Sequence, residues 1–172
     1  VEMLEQGYTR VGEFHYLHHD HDGTPYANPA EMAARIARAA EMTGIGLTLL
    51  PSFYAHSSFG GAAPHADQRR FICTIDQFDE LIDAARKAVS TLPGANIGVA
   101  PHSLRAVTPI ELAAIVPLAK GGPVHIHAAE QIKEVLDKVG LAHLKDKIED
   151  EEKPWDQTLS GGEKQRLAFA RL

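Results

Sequence analysis

The chain has 172 residues, a net charge of −6 with histidines neutral, 44% hydrophobic residues and 23% charged ones. That length holds one domain with a sizeable core, the balance is that of an ordinary globular protein, and the negative charge argues against nucleic acid as a partner. A lone cysteine, Cys73, excludes an internal disulfide and fits a reducing compartment such as the cytoplasm, and no apolar run approaches the ~20 residues that span a bilayer.

The opening "VEMLEQGYTR" is polar and acidic, unlike a signal peptide. The chain starts without Met and both ends fall inside what read as regular elements, which suggests a fragment. "RVGEFHYL" (10–17) is rich in strand formers. The histidine-dense "HYLHHDHDG" after it reads either as a metal tract or as a polar loop with His18, His19 and His21 in solvent. Its irregular spacing favours the loop, with Tyr16 the better candidate for touching a substrate. "NPAEMAARIARAAEMTG" (28–44) predicts a helix with Asn28 as N-cap, Pro29 at the first position, Glu31 at the third and Gly44 as the stop. "IGLTLLP" (45–51) is a continuous apolar run, as in a parallel strand covered on both faces.

The stretch "SFYAHSSFGGAAPHADQRR" is too long and glycine-rich to be a mere connector. It either closes over a ligand, with Gly60 and Gly61 giving backbone freedom, or is an unconstrained loop. Cys73 has no paired base nearby and reads as a core residue. "TIDQFDELIDAARKAVSTLPG" (74–94) places Phe78, Leu81, Ile82, Ala85 and Val89 at helical spacing. "NIGVAP" (96–101) is the next strand. "TPIELAAIVPLAKGG" (108–122) predicts a helix capped by Thr108 with Glu111 at the third position, "PVHIHAA" (123–129) a fourth strand, and "EQIKEVLDKVG" (130–140) another helix.

Four βα units make an α/β protein with a parallel sheet. No glycine-rich phosphate loop follows the first strand, which weakens a dinucleotide-binding reading. Residues with chemistry fall where strands end: Tyr16, then Tyr54 and His56, then His102 and Arg105, then His127 and Glu130. In a (β/α)8 barrel that face holds the active site, and four units make half of one. His127 and Glu130 can join a metal-bound water to a proton acceptor, or be a satisfied histidine and a helix N-terminal acid. His102 and Arg105 can hold an anionic substrate, Arg gripping a carboxylate bidentately, or form a loop with a surface ion pair.

After residue 140 the character changes to the charged "LAHLKDKIEDEEKPWDQ", with Trp155, and then "TLSGGEKQRLAFARL" (158–172). Ser160 with Glu163 reads as a capping box, and Leu167, Ala168, Phe169 and Leu172 give the helix an apolar side. Ser160 and the amides of Gly161 and Gly162 open that helix as a phosphate site would.

"YTRVGEFHYLHHDHDGTPYANPAEMAARIARAA", "GIGLTLLPSFYAHSSFGGA", "APHSLRAVTP" and "GGPVHIHAAEQIKEV" together resemble the formimidoylglutamate deiminases, zinc enzymes of the amidohydrolase superfamily with a distorted (β/α)8 barrel. The resemblance covers about residues 1–135. It implies hydrolysis of the C=N group of N-formimino-L-glutamate to N-formyl-L-glutamate and ammonia, in histidine breakdown. It implies that His127 is the zinc ligand of the fifth barrel strand and Glu130 the acid that shuttles protons from the attacking water. His102 and Arg105 match the substrate-binding pair, and Tyr16 a substrate-contacting tyrosine. The family's His-x-His and its later catalytic histidine and aspartate fall outside this sequence, so the chain is expected to be inactive alone.

From about residue 136 the chain resembles a second family. "LSGGEKQRLAFARL" is similar to the signature motif of ABC-transporter ATPases, whose Ser and Gly residues contact ATP held mainly by a partner subunit. That implies Ser160, Gly161 and Gly162 as a nucleotide contact in trans. Neither a G-x-x-x-x-G-K-[ST] loop nor an acidic Walker B strand is present. The chain therefore reads as a chimera of a partial barrel (1–135) and a helical segment (136–172), whose open sheet edges favour self-association.

Overall fold

The computed structural model describes residues 1–128, 136–137, 140–147 and 159–163. It divides into two compact units, Val1–Ile126 and His127–Leu172.

The first unit is α/β. A short helix α1 (Glu2–Glu5) precedes strand β1 (Arg10–His15), helix α2 (Glu31–Thr43), strand β2 (Gly46–Phe53) and helix α3 (Ile75–Val89). Two short strands follow, β3 (Asn96–Ile97) and β4 (Ala100–Pro101), then helix α4 (Pro109–Ile115). β1 pairs with β2 in parallel from Arg10↔Gly46 to His15↔Pro51, and β3 and β4 both pair in parallel with the other edge of β2. The sheet is open.

Each helix is set by the residues that cap and bury it. α2 stops at Gly44, whose φ of 75° is the left-handed conformation that glycine tolerates best. It begins two residues later than the sequence suggests, because Asn28 closes a turn instead of capping. The Asn28 side-chain oxygen accepts from the Ala30 amide at 3.1 Å, and its carbonyl accepts from the Glu31 amide at 3.0 Å. α3 buries Phe78, Leu81, Ile82, Ala85 and Val89, the five positions given by helical spacing. At α4 the Thr108 hydroxyl accepts from the Glu111 amide, and the Glu111 carboxylate accepts from the Thr108 amide at 2.8 Å, which completes the capping box.

Helices α2, α3 and α4 cover one face of the sheet. Ala33, Ala37 and Ala40 of α2 pack with Leu47, Leu49, Ala85 and Ile97, while Phe53, Phe78, Ile82, Val107 and Ile115 form a second cluster. Val11 joins the first cluster, so by strand alternation Phe14 lies on the opposite face.

The fourth strand expected over 123–129 does not form among the described residues. Among the described residues, 123–128 contribute only the single bridge Val99↔Val124, made by Val99 N–H to the Pro123 carbonyl and His125 N–H to the Val99 carbonyl. The neighbour it would extend is itself broken at Gly98–Val99, between β3 and β4, so there is little ladder to continue. The approach at this seam is close: a Cβ on Gly98 would lie 1.9 Å from the Pro123 oxygen, and one on Gly122 would lie 2.1 Å from the Ile97 oxygen.

In the second unit Leu136, Leu141, Leu144 and Leu159 form a small buried cluster beside a 3-10 helix at Ala142–Lys147. Of the helix expected over 130–140, Leu136, Asp137 and Gly140 are described: the first two are helical and Gly140 is in a turn with φ of 68°. Trp155 and the apolar side Leu167, Ala168, Phe169 and Leu172 lie outside the described residues. Among the described residues no helix is long and apolar enough to cross a membrane.

Candidate functional site

At the C-terminal ends of the strands an aromatic frame surrounds His102. Period-two alternation puts Phe14 and Tyr16 on one side of the chain leaving β1, and their rings meet edge to face at 5.6 Å between centroids. The His102 ring lies 5.8 Å from Tyr16, 4.7 Å from Tyr54 and 6.0 Å from Phe14. Phe71 closes the ring of contacts, edge on to both Tyr16 (5.1 Å) and Tyr54 (5.0 Å). The His125 ring meets Phe14 tilted, at 5.3 Å between centroids. Such pairs contribute about 0.5–1.5 kcal/mol each beyond their buried area, so the frame holds the imidazole in a defined orientation.

His102 is anchored from behind by its amide, which donates to the Phe53 carbonyl at 2.9 Å. Arg105 follows in a turn closed by the Ala106 and Val107 amides, which both donate to the Ser103 carbonyl. Tyr54 is fixed at its polar end, where the Gln68 amide donates to the phenol oxygen at 3.0 Å.

The long loop after β2 is tied down rather than loose. His56 meets both carboxylate oxygens of Glu111 at 2.9 Å, and its amide donates to the Ala106 carbonyl. Burial opposes ionisation of Glu111, yet the Thr108 amide and hydroxyl and the His56 ring hold its carboxyl below the usual range. Gly60 and Gly61 both turn with φ of 76°. Cys73 is buried in the core and burial pushes its thiol up to about 12, which leaves it unreactive.

The histidine tract departs from expectation. His21 is exposed, but His18 and His19 are buried, so the solvent reading fails for two of the three. The chain folds back after β1: the amides of His18 and His19 both donate to the Arg70 carbonyl at 2.9 Å, and His19 bridges Pro25. The His18 Nε2 donates to the Ser52 carbonyl at 2.7 Å, which assigns the proton to that nitrogen. Burial, then the neighbouring His15, lowers His18 to about 3, and burial lowers His15 to about 4. Both are neutral at pH 7, and the two ring nitrogens of His15 have no hydrogen-bond partner among the described residues.

The fold therefore brings together Tyr16, Tyr54 and His102, with Arg105 three residues further along the same turn. His127 opens the second unit, and Glu130 lies outside the described residues. Among the described residues no three His, Cys, Asp or Glu side chains converge as a metal site, so those residues by themselves do not fit a zinc ion. Ser160 and Glu163 form the expected capping box: the Ser160 hydroxyl donates to the carboxylate at 2.6 Å and its amide does so at 2.8 Å. The His143 ring meets the other carboxylate oxygen at 2.9 Å, and the Ser160 bonds, then His143, bring Glu163 down to about 2. Gly161 and Gly162 are exposed at the start of that helix.

Sequence reasoning missed Phe14, Phe71 and His125. Phe14 carried a signal in its spacing from Tyr16, whereas Phe71 arrives through the long loop.

The fold and the signature segment point to two classes of protein, and comparison with known proteins bears out both. The ABC transporter family model matches residues 59–172, roughly two thirds of the chain, and the chain belongs to that family. Its N-terminal part is homologous to formimidoylglutamate deiminase: it is 51% identical to that protein of Pseudomonas aeruginosa over 138 residues, 80% of this chain and 30% of the relative. A solved amidohydrolase of Brucella melitensis matches with a TM-score of 0.77 and 62% identity, over 83% of this chain and 32% of that one. An uncharacterized ABC transporter ATP-binding protein of Haemophilus influenzae is 55% identical over 42 residues, 24% of this chain and 7% of the relative. The chain thus spans about a third of the length of the deiminase and amidohydrolase it matches. The two likenesses overlap from residue 59 onward. For the described α/β unit the 62% identity and the shared fold make the amidohydrolase likeness the stronger guide.

Proposed function

We propose that residues 1–135 are a partial (β/α)8 barrel carrying the substrate side of a deiminase that hydrolyses N-formimino-L-glutamate. The observation that carries this reading is the aromatic frame that holds His102 beside Tyr16 at the strand ends. In the full reaction water adds to the formimino carbon, the C–NH2 bond breaks, and N-formyl-L-glutamate and ammonia leave. This chain's part is binding and orientation. Arg105 grips a substrate carboxylate with its planar fork. His102 and Tyr16 offer hydrogen bonds to the polar end, with the surrounding rings excluding water. His127 is the candidate metal ligand and Glu130 the candidate proton carrier.

One protein ligand does not hold zinc tightly, so the purified chain is expected to bind well under one zinc and to release no ammonia from N-formimino-L-glutamate. The test is zinc stoichiometry beside a His127→Ala control. One zinc per chain, lost in the control, would overturn the inactive reading.

A second reading is supported by the family match and by the intact Ser160–Glu163 box. In it the tail is an ABC-derived segment in which Ser160, Gly161 and Gly162 touch ATP bound by another subunit, joined to the partial barrel as a chimera. The two readings differ in how the chain associates. β1 pairs on one edge only among the described residues, so self-association through sheet edges should rise with protein concentration and ignore ATP. Sedimentation with an ABC ATPase subunit, with and without ATP, separates them: an ATP-dependent complex would favour the tail.

A further inference from the structure

We propose that the cleft between the 19–25 hairpin and the start of α2 is a binding site for a small organic carboxylate. The cleft has a volume of about 610 Å³ and is lined by His21, Tyr26, Asn28, Glu31, Arg35 and Arg70. That size is within the ~300–1,000 Å³ of small-molecule sites. The chemistry of its walls is one-sided. Arg35 is neutralised by Glu31 at 2.7 Å, which also occupies the carboxylate the cleft contains. Arg70 has no ion pair among the described residues: its Nε donates to the His19 carbonyl at 3.3 Å, and its two terminal nitrogens are left over.

The other groups add donors. The Asn28 oxygen is used by the Ala30 amide, which leaves its NH2. The Tyr26 hydroxyl and the His21 ring make no hydrogen bond among the described residues, although both line the cleft. One uncompensated guanidinium beside an amide NH2, a phenol and an imidazole suits a single carboxylate; a polyphosphate would find too little charge. Tyr26 and the half-buried Met32 supply an apolar flank for a flat ligand body.

The wall is also rigid enough to hold this geometry. The Arg70 carbonyl takes both the His18 and His19 amides at 2.9 Å. Next to it, Arg69 donates to the His21 carbonyl at 2.8 Å and to the Ala66 carbonyl at 2.9 Å. The guanidinium of Arg70 is therefore displayed from a pinned backbone, which lowers the ordering cost of binding. None of the cleft's lining residues belongs to the aromatic frame around His102, so this site stands or falls independently of the deiminase reading.

The test is a residue-resolved NMR titration of the whole chain with benzoate, with neutral benzamide as the control. Benzoate should give saturable shifts at the amides around His21, Asn28 and Arg70, and benzamide none. Arg70→Gln should weaken benzoate at least about tenfold, and Arg70→Lys, which keeps the charge without the fork, should fall between. Equal binding of the two probes, absence of saturable shifts, or unchanged affinity in a natively folded Arg70→Gln chain would overturn the proposal. If Arg70→Gln loses the native spectrum, Tyr26→Phe decides: weaker benzoate binding supports the site, and unchanged binding sinks it.

Discussion

The buried histidines give the chain a pH dependence with a definite sign. His15 and His18 are neutral in the fold because burial disfavours their charged forms, His15 to about 4 and His18 to about 3. Unfolded, each titrates near 6.5, so between that value and the folded one the unfolded chain binds more protons. Stability is therefore full above about pH 6.5 and falls as pH drops toward 4. For His15 alone the loss by pH 5 is about 2 kcal/mol relative to neutral pH. Urea unfolding at pH 7.5 and pH 5 should show it, and His15→Phe should flatten the dependence; an unchanged slope in that variant would contradict the assignment. None of this was legible in "HYLHHDHDG", because polar composition suggests solvent, whereas His18 is held by distant partners, its amide on the Arg70 carbonyl and its ring on the Ser52 carbonyl. Tyr16, Tyr54 and His102 were legible as a group because each ends a strand. Phe71 was not, since no local period links it to Tyr16.

At the scale of elements the sequence was most informative where a period and a cap agree. α3 follows its apolar spacing, and α3 and α4 both begin at their Thr caps, although α4 gives way after Ile115 to a 3-10 turn over Val116–Ala119. The strand expected over 123–129 failed for a reason no local pattern carries. Its neighbour is interrupted at Gly98–Val99, and strand propensity cannot supply a missing ladder. The seam there depends on two missing side chains. Gly98→Ala would set a methyl 1.9 Å from a backbone oxygen, so the 122–124 segment must move. The expected outcome is a destabilisation of at least about 2 kcal/mol, in the range of serious backbone clashes, with a lower melting temperature. A variant that melts with the native chain would show that the segment is not held against β3.

As a whole molecule the chain joins an amidohydrolase-like α/β unit to a segment bearing an ABC signature. That the strands are parallel and alternate with helices was readable from the alternation of the two periods; the order of the strands and the face the helices cover were not. Which residues meet across the strand ends was readable only in part: His127 and Glu130 also follow an expected strand, but His127 opens the second unit and Glu130 lies outside the described residues. The deiminase reading requires the substrate side to be preassembled in the first unit. The direct measurement is a calorimetric titration of N-formimino-L-glutamate into the chain and into Arg105→Gln. Saturable binding to the first, weakened at least about tenfold in a folded variant, is what the account requires. Absence of binding, or equal binding to both, would contradict it.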